Sequence, residues 1–430
     1  MNAFHVDTSM CVHCGLCLPS CPTYQVTGSE AESPRGRVVL LDEVRTGLLE
    51  GRQPDPAAWT ALDHCLDCRA CEAVCPAHVP VGHAVEELRG LAGRVKPLPL
   101  LGRQWLGSRA GIRRFRRWAK LAGRPGIRRI ARLGRTLPAP WGPALSLLQG
   151  VPAEVAAHQT RRTPQPVGPR VLFFAGCVME GLYAETNRRS ADLLRRLGFD
   201  VSVEAEPLCC GALARHQGDP ESGRRWAKTN IERFEESGVD FFVTNAAGCG
   251  AALKEYGAWF RDDPAWKERA LAFQSRVRDV LELVDPAKLP QGLPMGSAHP
   301  QPVTVHDACH LVHAQGLKEP VRAILTRLGI PIVEMPDADL CCGSAGVYNL
   351  THPDMARVLQ ARKVASVPAV VGRVVTSNPG CLLQIQSGLR SQNRPVEALH
   401  WVDVVYEALS TGETAEIGGI RGEASGVHRG

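Results

Sequence analysis

The 430 residues carry sixteen cysteines, and their spacing constrains the fold more than any other feature. Four stand in "CVHCGLCLPSCP" (Cys11, Cys14, Cys17, Cys21) and four in "CLDCRACEAVCP" (Cys65, Cys68, Cys71, Cys75). Both runs follow C-x2-C-x2-C-x3-C-P, in which three closely spaced thiolates hold one 4Fe-4S cubane and the fourth reaches over to a second. That pattern predicts crossed sets: Cys11, Cys14, Cys17 and Cys75 for one cluster, Cys65, Cys68, Cys71 and Cys21 for the other. Pro22 and Pro76 would end each local turn and release the fourth thiolate. Zinc takes only four ligands and does not call for a double run with its prolines.

The other eight cysteines form a repeat. Cys177, Cys209, Cys210 and Cys249 recur as Cys309, Cys341, Cys342 and Cys381, at a constant offset of 132. Apolar runs precede the lone cysteines ("RVLFFAGC", "DFFVTNAAGC", "PVTVHDAC", "RVVTSNPGC") and read as short buried strands ending in Cys. "ETNRRSADLLRRLG" and "LKEPVRAILTRLG" have helical periodicity. Strand alternating with helix predicts a parallel sheet, with ligands outside the carboxyl ends of its strands. The two lone cysteines of a module would converge there with its Cys-Cys-Gly turn, whose adjacent thiolates can reach neighbouring metals. Gly211 and Gly343 would allow a tight turn, and Ser344, Ala345 and Gly346 would bring backbone N–H groups to cluster sulfur.

The expected fold is therefore α+β and multidomain: a helical dicluster ferredoxin domain (1–95), a basic helical linker or docking segment (96–166), two α/β cysteine-rich modules with parallel strands (167–300 and 301–410) and a disordered tail (411–430). Within the first domain, Pro34 to Gly51 has helical spacing. Regular cysteine spacing, no apolar leader and no run of eighteen apolar residues predict a cytoplasmic protein whose thiols bind metal.

Charge is concentrated in one place. Fourteen of the 50 Lys and Arg lie between Arg94 and Arg135, where none of the 44 acids falls. In this stretch Ile112, Phe115, Trp118, Ala119 and Ala122 recur at helical spacing beneath an arginine face. Such a helix suits a membrane interface at the inner face of the cell membrane, or equally an acidic partner. No motif for reading nucleic acid accompanies it. His306, Asp307, His310 and His313 cluster around Cys309, where a histidine can tune a potential or pass a proton.

Tandem ferredoxin motifs followed by two Cys-Cys-Gly modules resemble the iron-sulfur subunit family of bacterial glycolate oxidase (glycolate dehydrogenase). "CVHCGLCLPSCPTYQVTG", "ESPRGRVVLL", "LDHCLDCRACEAVCP", "AAGCGAALKEYG", "DLCCGSAGVYNLTHPDMA" and "HWVDVVYEAL" carry the likeness over almost the whole chain. The first domain is also similar to the helical ferredoxin domain of succinate dehydrogenase-type subunits. The resemblance implies an electron-transfer subunit, inactive alone, beside FAD-containing partners that oxidise glycolate to glyoxylate, with a quinone or other acceptor beyond. No G-x-G-x-x-G follows a strand, so the flavin is expected on another chain. Cognate subunits for D-lactate or glycerol 3-phosphate share the architecture, and a metal-binding scaffold with zinc in the modules is the alternative outside enzymes. In heterodisulfide reductase, a relative, the modules end in C-x-x-C. Here Ala246 and Asn378 stand three before Cys249 and Cys381, leaving four thiols per module and open whether iron-sulfur or zinc fills them.

Overall fold

In a computed structural model of the chain, residues 5–93, 109–122, 141–152, 168–204, 206, 208–292 and 301–410 are described. The stretches 96–108, 123–140 and 153–166 of the linker region and the expected disordered tail lie outside the described residues.

Three helices frame the ferredoxin part: Pro34–Leu49, Pro56–Asp63 and Val81–Leu91. Proline opens the first two, and the side chains of Ser33 and Asp55 accept hydrogen bonds from Gly36 N–H and Ala57 N–H, capping their N-termini. The helices meet through Leu41, Val44, Trp59, Leu62, Val85 and Leu88, all buried. Each such apolar side chain contributes about 1.5–3 kcal/mol. The two cysteine runs, each broken by one short helical turn (Leu18–Ser20, Ala70–Ala73), have matching backbone: His13 and Gly15 in one, Asp67 and Arg69 in the other, have positive φ of 53°, 83°, 51° and 63°. Left-handed residues at the second and fourth positions after the first cysteine curl each loop so that its thiols face inward. Holding a non-glycine residue there costs about 1–3 kcal/mol.

The first module contains β1 (Arg170–Phe173), β2 (Asp200–Val203), β3 (Phe241–Thr244) and β4 (Val277–Asp279), all parallel, in the order β2-β1-β3-β4. The second contains β5 (Val303–Val305), β6 (Arg373–Thr376) and β7 (Glu397–His400), parallel in that order, and a lone bridge from Val303 to Ile332 stands where β2 would be. The predicted helices run Ala184–Arg196 and Glu319–Arg327. The strands are covered on both faces, as a parallel sheet demands. Val171 and Phe173 enter a core that continues into Val303, Val305, Trp401 and Val405, while Leu172 and Phe174 enter a second core with Phe242 and Tyr256. The modules thus share one core. Across their junction Thr186 Oγ1 donates to Asp403 Oδ2 (2.7 Å) and Tyr406 OH to Asp192 Oδ2 (2.9 Å).

The lone cysteines do not sit at strand ends. Cys177 begins the helix Cys177–Leu182, Cys249 and Cys381 lie in the first turns of Ala247–Lys254 and Pro379–Ser391, and Cys309 precedes a π-helical turn, His310–Ala314. A short crossing after each strand carries the thiol to the start of the next helix or helical turn.

Candidate metal centres and the cavity between them

The eight N-terminal thiols face two voids. Cys11, Cys14, Cys17 and Cys75, joined by Cys71, line one of about 100 Å3, and Cys21, Cys65, Cys68 and Cys71 line one of about 20 Å3. All sixteen cysteines are free thiols, so each void offers a set of soft donors that fits an iron-sulfur group. The first void lies at the surface: Cys14 is exposed, and Met10, Val12 and Leu16 around it are 61%, 80% and 58% exposed. The second is deep, and burial pushes the thiols of Cys68 and Cys71 well above their usual range. A metal must therefore supply the charge that stabilises the thiolates.

Beside the second void lies a buried cation that the sequence did not flag. Arg37, 2% exposed, directs Nη1 to Cys21 Sγ (3.5 Å), Nη2 to Thr23 Oγ1 (2.9 Å) and Nε to the Ala61 carbonyl (2.9 Å). Arg89 donates to the carbonyls of Cys65 (2.8 Å) and Asp63 (3.0 Å). The only sequence signal for Arg37 is its place on the buried stripe of its helix, between Pro34 and Val38.

The Cys-Cys-Gly turns are built alike. Gly211 and Gly343 have φ of +83° and +87°, and a Cβ on either would come within 2.8 Å of the Gly223 carbonyl or 2.9 Å of the Ala356 carbonyl. Each turn therefore presses against the second helix after it, Pro220–Ser237 or Pro353–Ala365. In the first module Cys177 Sγ lies 3.6 Å from Cys209 Sγ, Gly211 N–H donates to Cys209 Sγ (3.4 Å), and Cys210 reaches both Cys209 and Cys249. Those two contacts hold the Cys210 thiol well below its usual range. In the second module Cys341 contacts Cys309 and Cys342, Cys342 contacts Cys381, and the Ser344 N–H faces Cys342. Four thiols thus converge in each module. Ser344, Ala345 and Gly346 also line the cavity described next.

A cavity of about 340 Å3 lies where both modules meet the ferredoxin part. Cys65, Cys177, Cys210, Cys249, Cys309, Cys341, Cys342 and Cys381 reach its wall. Phe115, Trp118, Leu148, Val151, Leu182 and Leu383 make an apolar wall, with His216, His310 and Asn378 among the polar groups. The second ferredoxin run closes on the second module here: Leu66 and Cys68 pack with Cys341, Cys309 and Tyr348, and His310 Nε2–H donates to the Asp67 carbonyl (2.7 Å). Below it runs a buried charge network. Asp67 pairs with Arg69 (2.7 Å) and His216 (3.0 Å), and Glu86 with His216 (2.7 Å) and Arg215 (2.7 Å). Burial opposes the charged imidazolium of His216, but its bonds to Asp67 and Glu86 outweigh that and raise it to about 10.

The four residues around Cys309 separate by role. Asp307 is buried and bound by Arg322 (2.9 and 3.0 Å), His313 Nε2 lies 3.3 Å from the Asp339 carbonyl, and His310 ties the second run to the module. His306 is 1% exposed, and burial holds its ring well below the usual imidazole range. A ring nitrogen of His306 lies within 4.8 Å of the sulfurs of Cys342 and Cys381.

The basic helix spans Arg109–Ala122. Three of its apolar residues are covered: Ile112 is fully buried in the first module's core, Phe115 lies against Gly181, and Trp118 packs with Leu148, Leu182 and Leu383, whereas the side chains of Ala119 and Ala122 lie outside the described residues. Ile112, Phe115 and Trp118 are therefore turned to protein rather than to lipid. Arg114 and Arg117 remain exposed, and Arg113 pairs with Glu206 (2.8 Å). Among the described residues no helix is long and apolar enough to cross a membrane.

Comparison with known families bears directly on these sites. The 4Fe-4S dicluster domain matches residues 7–79, and the cysteine-rich domain matches twice, at 171–254 and 303–386. The probable glycolate oxidase iron-sulfur subunit of Bacillus subtilis is 37% identical over 93% of both chains, and the glycolate oxidase iron-sulfur subunit of Escherichia coli is 34% identical over 93% of both. The chain belongs to the glycolate oxidase iron-sulfur subunit family. Lactate utilization protein A of Exiguobacterium is 27% identical and matches 56% of this chain and 98% of its own length. Family membership agrees with the resemblance read from the cysteine runs, with the α+β fold and with an iron-sulfur role in an oxidoreductase complex.

Proposed function

We propose that this chain is the electron-carrying subunit of an acceptor-linked glycolate dehydrogenase, bound to an FAD-containing subunit that oxidises glycolate to glyoxylate. The observation that carries the proposal is the convergence of the eight N-terminal thiols on two neighbouring voids, the deeper one sharing its wall with thiols of the second module. Cys11, Cys14, Cys17 and Cys75 are the ligands assigned to one 4Fe-4S cluster, and Cys65, Cys68, Cys71 and Cys21 to the other. The modules' cysteines hold further metal. When bound, the clusters supply one-electron carriers that a two-electron flavin reaction needs for its reoxidation.

The protein's own residues do the rest. The left-handed loop positions aim the thiols, Arg37 and Arg89 set positive charge beside the deeper site, and the helix cores exclude water. Exposed apolar residues around Cys14 offer a contact surface for the flavoprotein. Beyond the module thiols the cavity is walled by Phe115, Trp118, Leu148, Val151, Leu182 and Leu383, and we assign this apolar part to the head group of a quinone acceptor. Glycolate is preferred over lactate because the glycolate oxidase relatives match the chain end to end, whereas the lactate utilization relative matches about half of it.

The test is anaerobic co-purification with the flavoprotein, read for iron, flavin and glycolate-dependent quinone reduction. Cys14→Ala should abolish quinone reduction while glycolate still bleaches the partner's flavin. Fewer than about eight irons per chain in the intact protein contradicts two cubanes.

A further inference from the structure

The second module has a donor that the first lacks. His306 follows β5 directly, and its backbone N–H is fixed to the Val375 carbonyl (2.8 Å). Its Nδ1 lies 3.0 Å from the Ala338 carbonyl, so Nδ1 carries the proton and Nε2 keeps its lone pair. That Nε2 is buried and has no hydrogen-bond partner. An unsatisfied buried acceptor is costly, and native structures rarely carry one without a reason. Here the ring sits within 4.8 Å of two thiols, Cys342 and Cys381. Imidazole ligands of metals usually donate their other N–H to a carbonyl or carboxylate, which fixes the tautomer and the ring. The Ala338 carbonyl does this for His306.

The repeat sharpens the point. At the offset of 132 the first module has Phe174, whose ring packs on Phe242 (centroids 5.4 Å apart) and offers no donor. One module thus presents four thiols, the other four thiols and an imidazole.

We propose that His306 Nε2 is a metal ligand of the second module, joining the thiolates of Cys342 and Cys381 on one soft metal ion, an iron of an iron-sulfur group or a zinc. The inference rests on the reading that the module cysteines bind metal. Imidazole in place of thiolate removes a negative charge from the centre, so an iron held this way has a higher potential than one held by sulfur alone. The duplicated modules are then unequal in donor set, and where the metal is iron the second is the better electron acceptor.

The experiment uses the full chain, purified anaerobically with its flavoprotein from cells fed 15N-histidine. Metal content is counted, the reduced protein is examined by pulsed EPR for imidazole nitrogen coupling, and zinc K-edge absorption reads the shell of any zinc. A nitrogen ligand seen by either method in the wild type, lost in His306→Cys and His306→Gln but kept in His310→Asn, supports the assignment. If metal is retained in His306→Cys, the potential of that centre should fall. A sulfur-only shell in the wild type, or nitrogen coupling that survives both His306 variants, overturns the assignment while leaving metal in the module. A wild type with eight irons and neither further iron nor zinc overturns the metal reading itself. The two failures therefore look different.

Discussion

Arg37 makes the most demanding prediction, because its charge acts on a site it does not ligate. It is 2% exposed, its Nη1 is 3.5 Å from Cys21 Sγ, and the Cys65 and Cys21 thiolates both bear on it. With the guanidinium centre about 6 Å from the charge added on reduction and an effective dielectric near 20, the attraction is about 3 kcal/mol. For one electron that corresponds to roughly 120 mV. Glu32, 3.9 Å from Nη2, offsets part of it, so Arg37→Gln should lower the potential of the deeper cluster by about 60–120 mV. Arg37→Lys keeps the charge and should shift it by less than half as much. The assay is an anaerobic redox titration followed by EPR, with iron content as the control for assembly. Arg37→Gln also strips the Ala61 carbonyl and Thr23 of their donor, a cost of about 1–3 kcal/mol that lowers Tm without moving the potential. A potential that stays put with full iron content, or that falls as far in Arg37→Lys, would refute the electrostatic argument.

Three other outcomes follow from the geometry. Gly343→Ala must accommodate a Cβ 2.9 Å from the Ala356 carbonyl at a φ of +87°, a strain of about 1–3 kcal/mol, and should empty the second module of metal while the ferredoxin irons remain. Gly316→Ala shares a left-handed φ, +70°, but meets open space, so it should cost about 1–2 kcal/mol and keep that metal. Leu182→Trp, projecting into the cavity wall, should raise KM for quinone without changing reduction of a small soluble dye; equal effects on both would discredit the acceptor site. His216, raised to about 10 by Asp67 and Glu86 against an ordinary value near 6.5, stabilises the fold fully below about pH 6.5 and loses that contribution as pH rises through 10. The Tm gap between wild type and His216→Asn should therefore narrow from pH 7 to pH 10, and a gap independent of pH contradicts the charged pair.

The cysteine runs and the repeat made the ferredoxin-plus-duplicated-module architecture legible, because ligand spacing is local and the offset of 132 is arithmetic. Strand and helix positions around the lone cysteines were nearly as clear, missing only the few residues that carry each thiol into the next helix. Burial partners were not legible. Glu86 and His216 look like ordinary surface residues in sequence, Arg37 shows only its place on a buried helix stripe, and long-range packing takes all three inside. The basic stretch shows the same limit: periodicity found the amphipathic helix, but could not say that Phe115 and Ile112 are spent on Gly181 and the first module's core. His306 stood out only for its nearness to Cys309, and its missing partner becomes visible only when the Ala338 carbonyl and two distant thiols surround it.

Duplication also explains what replaced the thiol that a C-x-x-C ending would supply. The two lone-cysteine helices meet near their N-termini, where Ala247 N–H donates to the Ser377 carbonyl (3.0 Å) and Gly248 N–H to Asn378 Oδ1 (3.1 Å). The Asn378 amide is turned back onto Cys381 Sγ (3.6 Å), so one side chain joins the modules and holds a thiol. Its counterpart Ala246 is 1% exposed and has no room to do the same. A cysteine at 378 would lose the bond to Gly248 and gain a fifth sulfur beside the second site. Asn378→Cys should therefore loosen the junction between modules, read as faster amide exchange at Ala247 and Gly248. Unchanged exchange there would mean that Asn378 is not the residue binding the two halves. The wild-type arrangement spends this position on rigidity, which suits a chain that passes electrons through fixed sites rather than one that opens to cleave a disulfide.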